Sequence, residues 1–364
     1  MALSIDDYLN FNIWDAHKPG YFETYIDNLE NKTYKKYIYW CHDEFEYWRI
    51  GEDDKWDRMV EIFKRKDIKP YVITGAAKYI TDIPNRSDIN LIFWPAYYYM
   101  KTYCDVLLAK PDFRVRENKV ISEPEKLNYK YHFICMNKRV RNFRCEIIDL
   151  LARENLLDSN AVSWFYDDVH PMYHEFLYWK PQILHLDKDF YTTSDQGCVP
   201  EQYYESFAQL IPEADVDRVI FPTEKTITAL LLGKPFLSVA PRGFHTTLQE
   251  MGFQLYDEIF DYRFDLENQR YKRWIMLIDN FKRLQETPLQ DLNKLAEKIK
   301  PKLQYNMNRA NQLALNYDLN TPEIVKEAYQ NFLDTGVWMD NFAIPLLHTI
   351  KKFINTNEYT HMKV

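Results

Sequence analysis

Glycine is scarce in this chain, and the short motifs that depend on it are absent. Only eight of the 364 residues are glycine, and no Gly-x-Gly-x-x-Gly fingerprint, Walker P-loop or Gly-x-Ser-x-Gly elbow occurs. The chain therefore lacks the motifs that usually identify a nicotinamide-dependent enzyme, a P-loop kinase or an α/β-hydrolase. A chain this poor in glycine and 46% hydrophobic is typical of compact folded domains.

Cysteine pairs and long apolar runs are also missing. The five cysteines are odd in number and form no Cys-x-x-Cys pair, which argues against a disulfide framework or a metal site and favours a reducing compartment. No apolar run approaches the roughly 20 residues that span a bilayer, and the first residues lack the features of a signal peptide. We therefore expect a cytoplasmic protein with no membrane span.

Basic residues are outnumbered by acidic ones. The chain has 46 lysines and arginines against 54 aspartates and glutamates, which gives a formal net charge of −8. A protein that holds duplex DNA mainly through its phosphates normally carries a strong basic balance. DNA is therefore a less favoured partner, although a local basic groove would be compatible with it.

Aromatic residues are present in excess. They make up 16% of the chain, with 28 tyrosines and 9 tryptophans. Rings with a polar edge suit carbohydrate and base surfaces, where a face stacks and an edge forms hydrogen bonds. Most of these rings are still expected in the core, so the excess supports such a ligand without locating it.

Short apolar strands alternate with helical stretches in both halves of the chain. Strands are predicted at 37–40, 71–74, 91–94, 132–136, 161–165 and 235–240. Helices are predicted at 56–66, 142–154, 224–232 and 244–251, and again from about residue 269 onward, including 321–333 and 340–353. Such alternation implies parallel sheets covered by helices. The predicted fold class is α/β, with two Rossmann-like domains and a helical C-terminal tail.

The length of the chain exceeds what one hydrophobic core usually supports. Residues 110–130 are polar and aperiodic, which suits a linker between domains. We predict an N-terminal α/β domain over residues 1–125, a second α/β domain over 126–320 and C-terminal helices over 321–364.

The most informative stretch surrounds Thr223-Glu224-Lys225. Thr223 is a candidate N-cap, which places Glu224 and Lys225 in the first helical turn. The backbone N–H groups and the dipole at that end favour an anion, and Lys225 adds a full positive charge. Glu224 is suited to accept hydrogen bonds from a diol such as a ribose. A purely structural interpretation, with a cap, a dipole-complementing glutamate and a solvated lysine, is open on the local pattern alone.

A second basic cluster joins a predicted strand to its helix. Four basic residues occur within Met136-Asn-Lys-Arg-Val-Arg-Asn-Phe-Arg144. At such a turn a phosphate would meet both these charges and the helix N-terminus. The alternative is a basic loop that forms salt bridges with an acidic surface.

The Thr-Glu-Lys helix, followed by Gly233-Lys-Pro-Phe236 and an apolar strand, resembles the donor-site segment of fucosyltransferase-like glycosyltransferases of the two-domain GT-B type. The resemblance is closest to diverged relatives from phages and other large viruses, which would imply the host cytoplasm as location. It extends upstream to 206–213 and downstream to 241–265, and covers roughly residues 131–275. After Glu213 the usual Asn-Ser is replaced by Ala214-Asp215, so no particular sugar is inferred.

The resemblance implies transfer from a nucleoside diphosphate sugar, a co-substrate, with no further cofactor and no required metal. It implies that Glu224 binds the donor ribose and Lys225 the pyrophosphate, together with an arginine of the basic turn, Arg139 or Arg144. The remaining candidate donor-binding residues are Thr223, Asn137 and Arg242. Arg242 follows a predicted strand and could equally belong to a plain turn.

Inverting sugar transfer also needs a base to deprotonate the acceptor hydroxyl. An acidic and aromatic cluster, Cys41-His-Asp-Glu-Phe-Glu-Tyr-Trp48, follows the first strong strand, where ligands gather in open α/β sheets. Asp43 and Glu44 are the candidate bases, with His42 as a further candidate or an orienting group. An acidic helix start without catalytic use is the alternative.

The acceptor is not specified by these motifs. A surface, capsular or protein glycan, or another hydroxyl compound, agrees with the acidic charge and the aromatic content. Two alternatives are a phage-type enzyme acting on modified DNA bases and a non-catalytic binding protein that retains the fold.

Overall fold

The computed structural model describes residues 8–12, 19–34, 36–41, 55–74, 90–93, 120–137, 141–163, 199–214, 216–217 and 220–316. The chain divides into two compact units, one formed by residues 1–96, 219–222 and 343–364 and the other by 97–218 and 223–342. Each unit contains a four-stranded parallel sheet. The predicted α/β class is therefore confirmed.

The sheet of the first unit has the order β1-β2-β3-β4. Its elements are β1 (Tyr8–Asn12), α1 (Tyr21–Asn31), β2 (Lys36–Cys41), α2 (Lys55–Arg65), β3 (Tyr71–Thr74) and β4 (Asn90–Phe93). Apolar residues at helical spacing bury one face of each helix, including Phe22 and Leu29 of α1 and Met59 and Phe63 of α2. Between the two helices, Arg58 donates two hydrogen bonds to the Glu23 carboxylate at 3.1 and 3.2 Å.

The sheet of the second unit has the order β6-β5-β7-β8, with all strands parallel. Its strands are β5 (Tyr131–Cys135), β6 (Ala161–Val162), β7 (Ser206–Pro212) and β8 (Phe236–Val239). Its helices are α3 (Asn142–Arg153), α4 (Glu201–Glu205), α5 (Glu224–Leu232), α6 (Phe244–Glu250), α7 (Arg270–Gln285) and α8 (Leu292–Asn316). Every residue of β7 is buried, as expected for a central parallel strand.

Helices cover both faces of this second sheet. Successive side chains of β5 point to opposite faces of the sheet, so the contacts of Phe133 and Ile134 show which helices pack on each face. The ring of Phe133 lies 4.7 Å from that of Phe281 on α7, whereas Ile134 shares a buried cluster with Leu232 of α5 and Tyr203 of α4. Because helices cover both faces, the loops and helix N-termini that follow the strands gather at the carboxyl edge of the sheet.

The segment that precedes β5 differs from the linker expected at 110–130. Its described part, residues 120–130, is aperiodic but packed against the second unit. The backbone N–H of Ile121 donates to the carbonyl of Leu232 at 2.9 Å, and the Asn293 amide donates to the carbonyls of Glu125 and Leu127 at 2.7 and 3.1 Å. Hydrogen bonds to α5 and α8 therefore hold this segment in place, although its sequence shows no helical or strand periodicity.

No helix among the described residues combines the length and the apolar character needed to cross a bilayer. The predicted helices at 321–333 and 340–353 lie outside the described residues.

Candidate functional site

The second sheet has a topological switch point between β5 and β7. From β5 the chain passes through α3 to β6 on one side, and from β7 it passes through α5 to β8 on the other. In open parallel sheets, ligands bind in the crevice at the carboxyl ends of the two strands where the winding reverses. The residues that follow β5 and β7 therefore define a candidate site, here called the switch-point crevice.

Asn137 follows β5 in this crevice. Its side-chain amide donates to the carbonyl of Ser163 at 3.1 Å and to Sγ of Cys135 at 3.3 Å. Its backbone N–H donates to Oγ of Ser163 at 2.8 Å. Asn137 is therefore held against the end of the neighbouring strand β6.

The basic turn after β5 contributes two described arginines. Arg141 is the N-cap residue of α3, and its guanidinium donates a hydrogen bond to the carbonyl of Ala214, which follows β7. Arg141 therefore bridges the two sides of the switch-point crevice. Arg144 lies in the first turn of α3, is 5% exposed and places its guanidinium 5.6 Å from the ring centre of Phe143.

Arg144 also acts electrostatically on the end of β5. Burial raises the pKa of the Cys135 thiol to about 12, while a hydrogen bond from Asn137 and the charge of Arg144 act in the opposite direction. Cys135 therefore stays a neutral thiol, and it contributes packing and a weak acceptor to the crevice.

A buried carboxylate organises the β7 side of the crevice. Glu213, 1% exposed, accepts hydrogen bonds from the hydroxyls of Thr223 and Thr226, the latter at 2.5 Å, and from the backbone N–H of Thr223 at 3.4 Å. The Thr226 hydroxyl also lies 3.1 Å from Oγ of Ser238 in β8. This network ties the start of α5 to the ends of β7 and β8.

The start of α5 has the geometry that the sequence predicts. Thr223 is the N-cap, and its Oγ1 accepts a hydrogen bond from the backbone N–H of Lys225 at 3.3 Å, with Nζ of Lys225 at 3.5 Å. Glu224 and Lys225 occupy the first turn of α5. Because the Thr223 hydroxyl donates to Glu213, its lone pairs are left to face the helix start and the lysine.

Arg242 lies in the loop after β8, and a buried histidine–aspartate pair joins His245 of α6 to Asp265 in the segment after that helix. Arg242 is exposed, and its Nε donates to the carbonyl of Leu266 at 2.9 Å. His245 lies 3.2 Å from Asp265 through Nδ1, while its Nε2 accepts the backbone N–H of Ser238 at 3.1 Å. Since Nε2 is already occupied by a backbone donor, this pair holds α6 against β8 instead of moving protons.

The structure thus brings together part of the predicted site. Five of the predicted residues lie near the ends of β5 and β7: Asn137, Arg144, Thr223 and, through their backbones, Glu224 and Lys225. His42, Asp43, Glu44 and Arg139 lie outside the described residues, and their roles stay predictions.

Sequence reasoning missed Arg141 and assigned no role to Glu213. Arg141 stood among four basic residues of one turn, and periodicity could not distinguish the one whose guanidinium reaches the loop after β7. Glu213 could have been recognised, because a glutamate directly after a mostly apolar strand needs partners on burial, and two threonines follow within 13 residues.

The sequence contains two Asp-x-Asp triplets of the type that metal-using glycosyltransferases carry, Asp187-Lys-Asp189 and Asp215-Val-Asp217. The Asp217 carboxylate accepts a hydrogen bond from Arg270 at 2.7 Å, and the other three aspartates lie outside the described residues. The described part of the chain brings no three metal-ligating side chains together.

No protein family, no curated protein and no solved structure matches this chain.

Proposed function

We propose that this chain is a GT-B glycosyltransferase that moves a sugar from a nucleoside diphosphate sugar to a hydroxyl group of a glycan or similar acceptor, with inversion and without a required metal. Its two α/β units would be the two Rossmann-like domains of that architecture. The second unit would bind the donor, and the first would supply the base.

One observation carries the proposal: a threonine-capped helix start with Lys225 stands at the switch-point crevice, beside the basic turn that follows β5. A diphosphate there would meet the first backbone N–H groups of α5, the positive end of its dipole and the Lys225 ammonium. Arg141 adds a second cation from the opposite side of the crevice. These groups would stabilise the negative charge that develops on the leaving diphosphate.

The remaining roles follow from the chemistry of inverting transfer. The acceptor hydroxyl attacks the anomeric carbon, its proton passes to a carboxylate, Asp43 or Glu44, and the bond to the diphosphate breaks with its electron pair on the phosphate oxygen. His42 would orient that base. Glu224, in the first turn of α5, would accept hydrogen bonds from the ribose hydroxyls, and Arg242 would contact the outer part of the donor.

Calorimetry with UDP, GDP, ADP, CDP and CMP, first with chelator and then with magnesium, tests this proposal. We expect one diphosphate to bind without metal and the monophosphate to bind more weakly. Binding only with magnesium would refute metal independence and direct attention to the Asp-x-Asp triplets. Absence of binding by all five would refute the donor site and favour a non-catalytic protein.

Lys225→Ala tests the lysine itself. Loss of a charge-assisted contact to phosphate should weaken diphosphate binding about 10- to 100-fold. Lys294→Ala is the matched control, because that lysine is 80% exposed and pairs with Asp291 on the surface, away from the switch-point crevice. Equal affinities of the two variants would remove Lys225 from the site.

A further inference from the structure

Asn137 is fixed in one orientation at the switch-point crevice. It is 2% exposed, and its amide nitrogen faces the carbonyl oxygen of Ser163 at 3.1 Å. Rotation of the amide by half a turn would place two acceptors, Oδ1 and the Ser163 carbonyl, against each other. The backbone hydrogen bond from Asn137 to Oγ of Ser163, at 2.8 Å, fixes the main chain as well. The amide nitrogen therefore faces the β6 side, and Oδ1 is turned away from it.

The oxygen of this amide has no protein partner. Oδ1 of Asn137 is buried and accepts no hydrogen bond from any residue that the structure describes. A buried acceptor left unsatisfied destabilises the folded state, and most such groups in native proteins are satisfied. Asn160, a second buried asparagine of the same unit, shows the usual situation. Its Oδ1 accepts the backbone N–H of Phe133 at 3.2 Å, and its nitrogen donates to the carbonyl of Leu156 at 2.9 Å.

We propose that Asn137 reads the nucleoside or sugar part of the donor by accepting a hydrogen bond on Oδ1 from an O–H or N–H group. This inference rests on the proposed function and adds the chemistry of one contact. An amide oxygen can only accept, and the oxygens of an ionised diphosphate can also only accept. Asn137 therefore cannot contact the diphosphate through this atom, and the diphosphate is left to Lys225, Arg141 and the start of α5.

The position of Asn137 supports the same division of roles. In the register of β5 and β7, Cys135 is paired with Leu210, so Asn137 lies level with the end of β7, one residue before Glu213. It follows the end of β5, across the crevice from the start of α5. A donor whose diphosphate lies at the start of α5 would extend a hydroxyl-bearing part toward β5.

The test compares Asn137→Ala with Asn160→Ala, using the nucleoside diphosphate that binds the wild-type protein and inorganic pyrophosphate. We expect Asn137→Ala to weaken nucleoside diphosphate binding about tenfold or more while leaving pyrophosphate binding unchanged. Asn160→Ala should lower stability without changing either affinity. Equal loss of both ligands in Asn137→Ala, or loss of neither, would overturn the inference while the donor site itself stands.

Ligand analogues test the contact on the unmodified protein. Four ligands each change one group that could donate to Oδ1: the 2′-deoxy nucleotide, the 3′-deoxy nucleotide, a base-methylated nucleotide and the full nucleotide sugar. One of these should alter wild-type affinity about tenfold and have no effect in Asn137→Ala, which would identify the donating group. If the effect of every analogue simply adds to that of Asn137→Ala, the inference is overturned. Failure of the wild type to bind any nucleotide would overturn the proposed function as well.

Discussion

The buried carboxylate of Glu213 depends on hydroxyl donors that come from a different element. Thr226 donates to it at 2.5 Å from the first turn of α5, and a buried acceptor that loses its donor costs about 1–3 kcal/mol. Thr226→Val keeps the shape of the side chain and removes this donor. We expect a loss of about 2 kcal/mol in the free energy of unfolding, measured by urea denaturation.

Thr228→Val is the matched control for this change. Thr228 lies on the same helix, is also buried at 7% exposure and stands outside the Glu213 network. We expect its replacement to change stability by less than half as much. Similar losses for both variants would mean that the packing of α5 matters and that the bond to Glu213 does not.

The ionisation of Asp265 predicts how the free energy of unfolding depends on pH. Burial alone would raise its pKa, but hydrogen bonds from Nδ1 of His245 and from the backbone N–H groups of His245 and Thr246 outweigh it and lower the pKa from 3.8 to about 2. The native carboxylate is therefore favoured by about 2 kcal/mol, which is present in full above pH 4 and is lost as the pH falls toward 2.

Asp265→Asn should abolish this part of the pH dependence. The difference in unfolding free energy between wild type and variant is expected to be largest near neutral pH and to shrink between pH 4 and pH 2. Unfolding curves in urea at several pH values measure it. A difference that stays constant down to pH 2 would contradict the stabilising role of the ionised Asp265.

The residues that sequence reasoning placed and missed differ in one physical respect. The capping role of Thr223 is local, because the hydroxyl and the N–H of Lys225 are two residues apart in one chain segment. The bridge from Arg141 to Ala214 spans 73 residues, and the bond from Thr226 to Glu213 joins two elements. Partners of that kind depend on strand order, which the local pattern does not contain.

At the scale of elements, the end of α5 is set by Gly233. It adopts the left-handed conformation with φ 73°, and the next N–H, of Lys234, donates back to the carbonyl of Ala229 at 2.9 Å. A Cβ at this position would lie 2.6 Å from Sδ of Met307 on α8. The helix end is therefore constrained both by its backbone and by the neighbouring helix.

Gly233→Ala should destabilise the second unit by more than the 1–2 kcal/mol that left-handed strain costs. Met307→Ala removes the atom in conflict, so the double variant should lose less stability than the sum of the two single variants, in a urea-unfolding cycle. Strict additivity would show that only the backbone conformation matters at this helix end.

Elements that combine an apolar pattern with a clear start or stop signal were predicted almost to the residue, whereas two elements without a conventional start signal were missed. The helix at 224–232 and the strand at 71–74 match α5 and β3, since each combines an apolar pattern with a clear cap or turn. The strand β1 and the helix α1 were missed. The strand β1 alternates asparagine with apolar residues, and α1 begins at a glycine N-cap without a side-chain hydrogen bond, so neither carries a conventional start signal.

At the scale of the whole molecule, the charge balance bears on the acceptor. A net charge of −8 gives no general attraction to duplex DNA. We expect no shift of a DNA duplex in a gel at physiological salt, and no steep salt dependence at lower salt. Binding that weakens steeply with salt would instead support the alternative in which modified DNA bases are the acceptor.

Nucleotide binding should also be confined to one edge of the second unit. The helix α6 begins after the carboxyl end of β8, and the first turn of α7 contacts the loop after β7 through Arg273 and the Val216 carbonyl at 3.4 Å. Both helices therefore run from the carboxyl edge of the sheet toward its amino edge. A groove of about 1170 Å³ lies at their far ends, lined by residues such as Gln249, Arg283 and Lys302.

This groove is poorly suited to a diphosphate, because two of its three lining cations have carboxylate partners and the third, Arg283, donates to the amide oxygen of Asn280 at 2.7 Å. Lys302 pairs with Asp257 and Glu258, and Arg263 pairs with Asp261. Hydrogen exchange with saturating nucleotide should therefore slow the amides in the first turns of α3 and α5 and leave those lining the groove unchanged. Slower exchange at the groove alone would relocate the anion site to the amino edge and refute the switch-point crevice as the donor site.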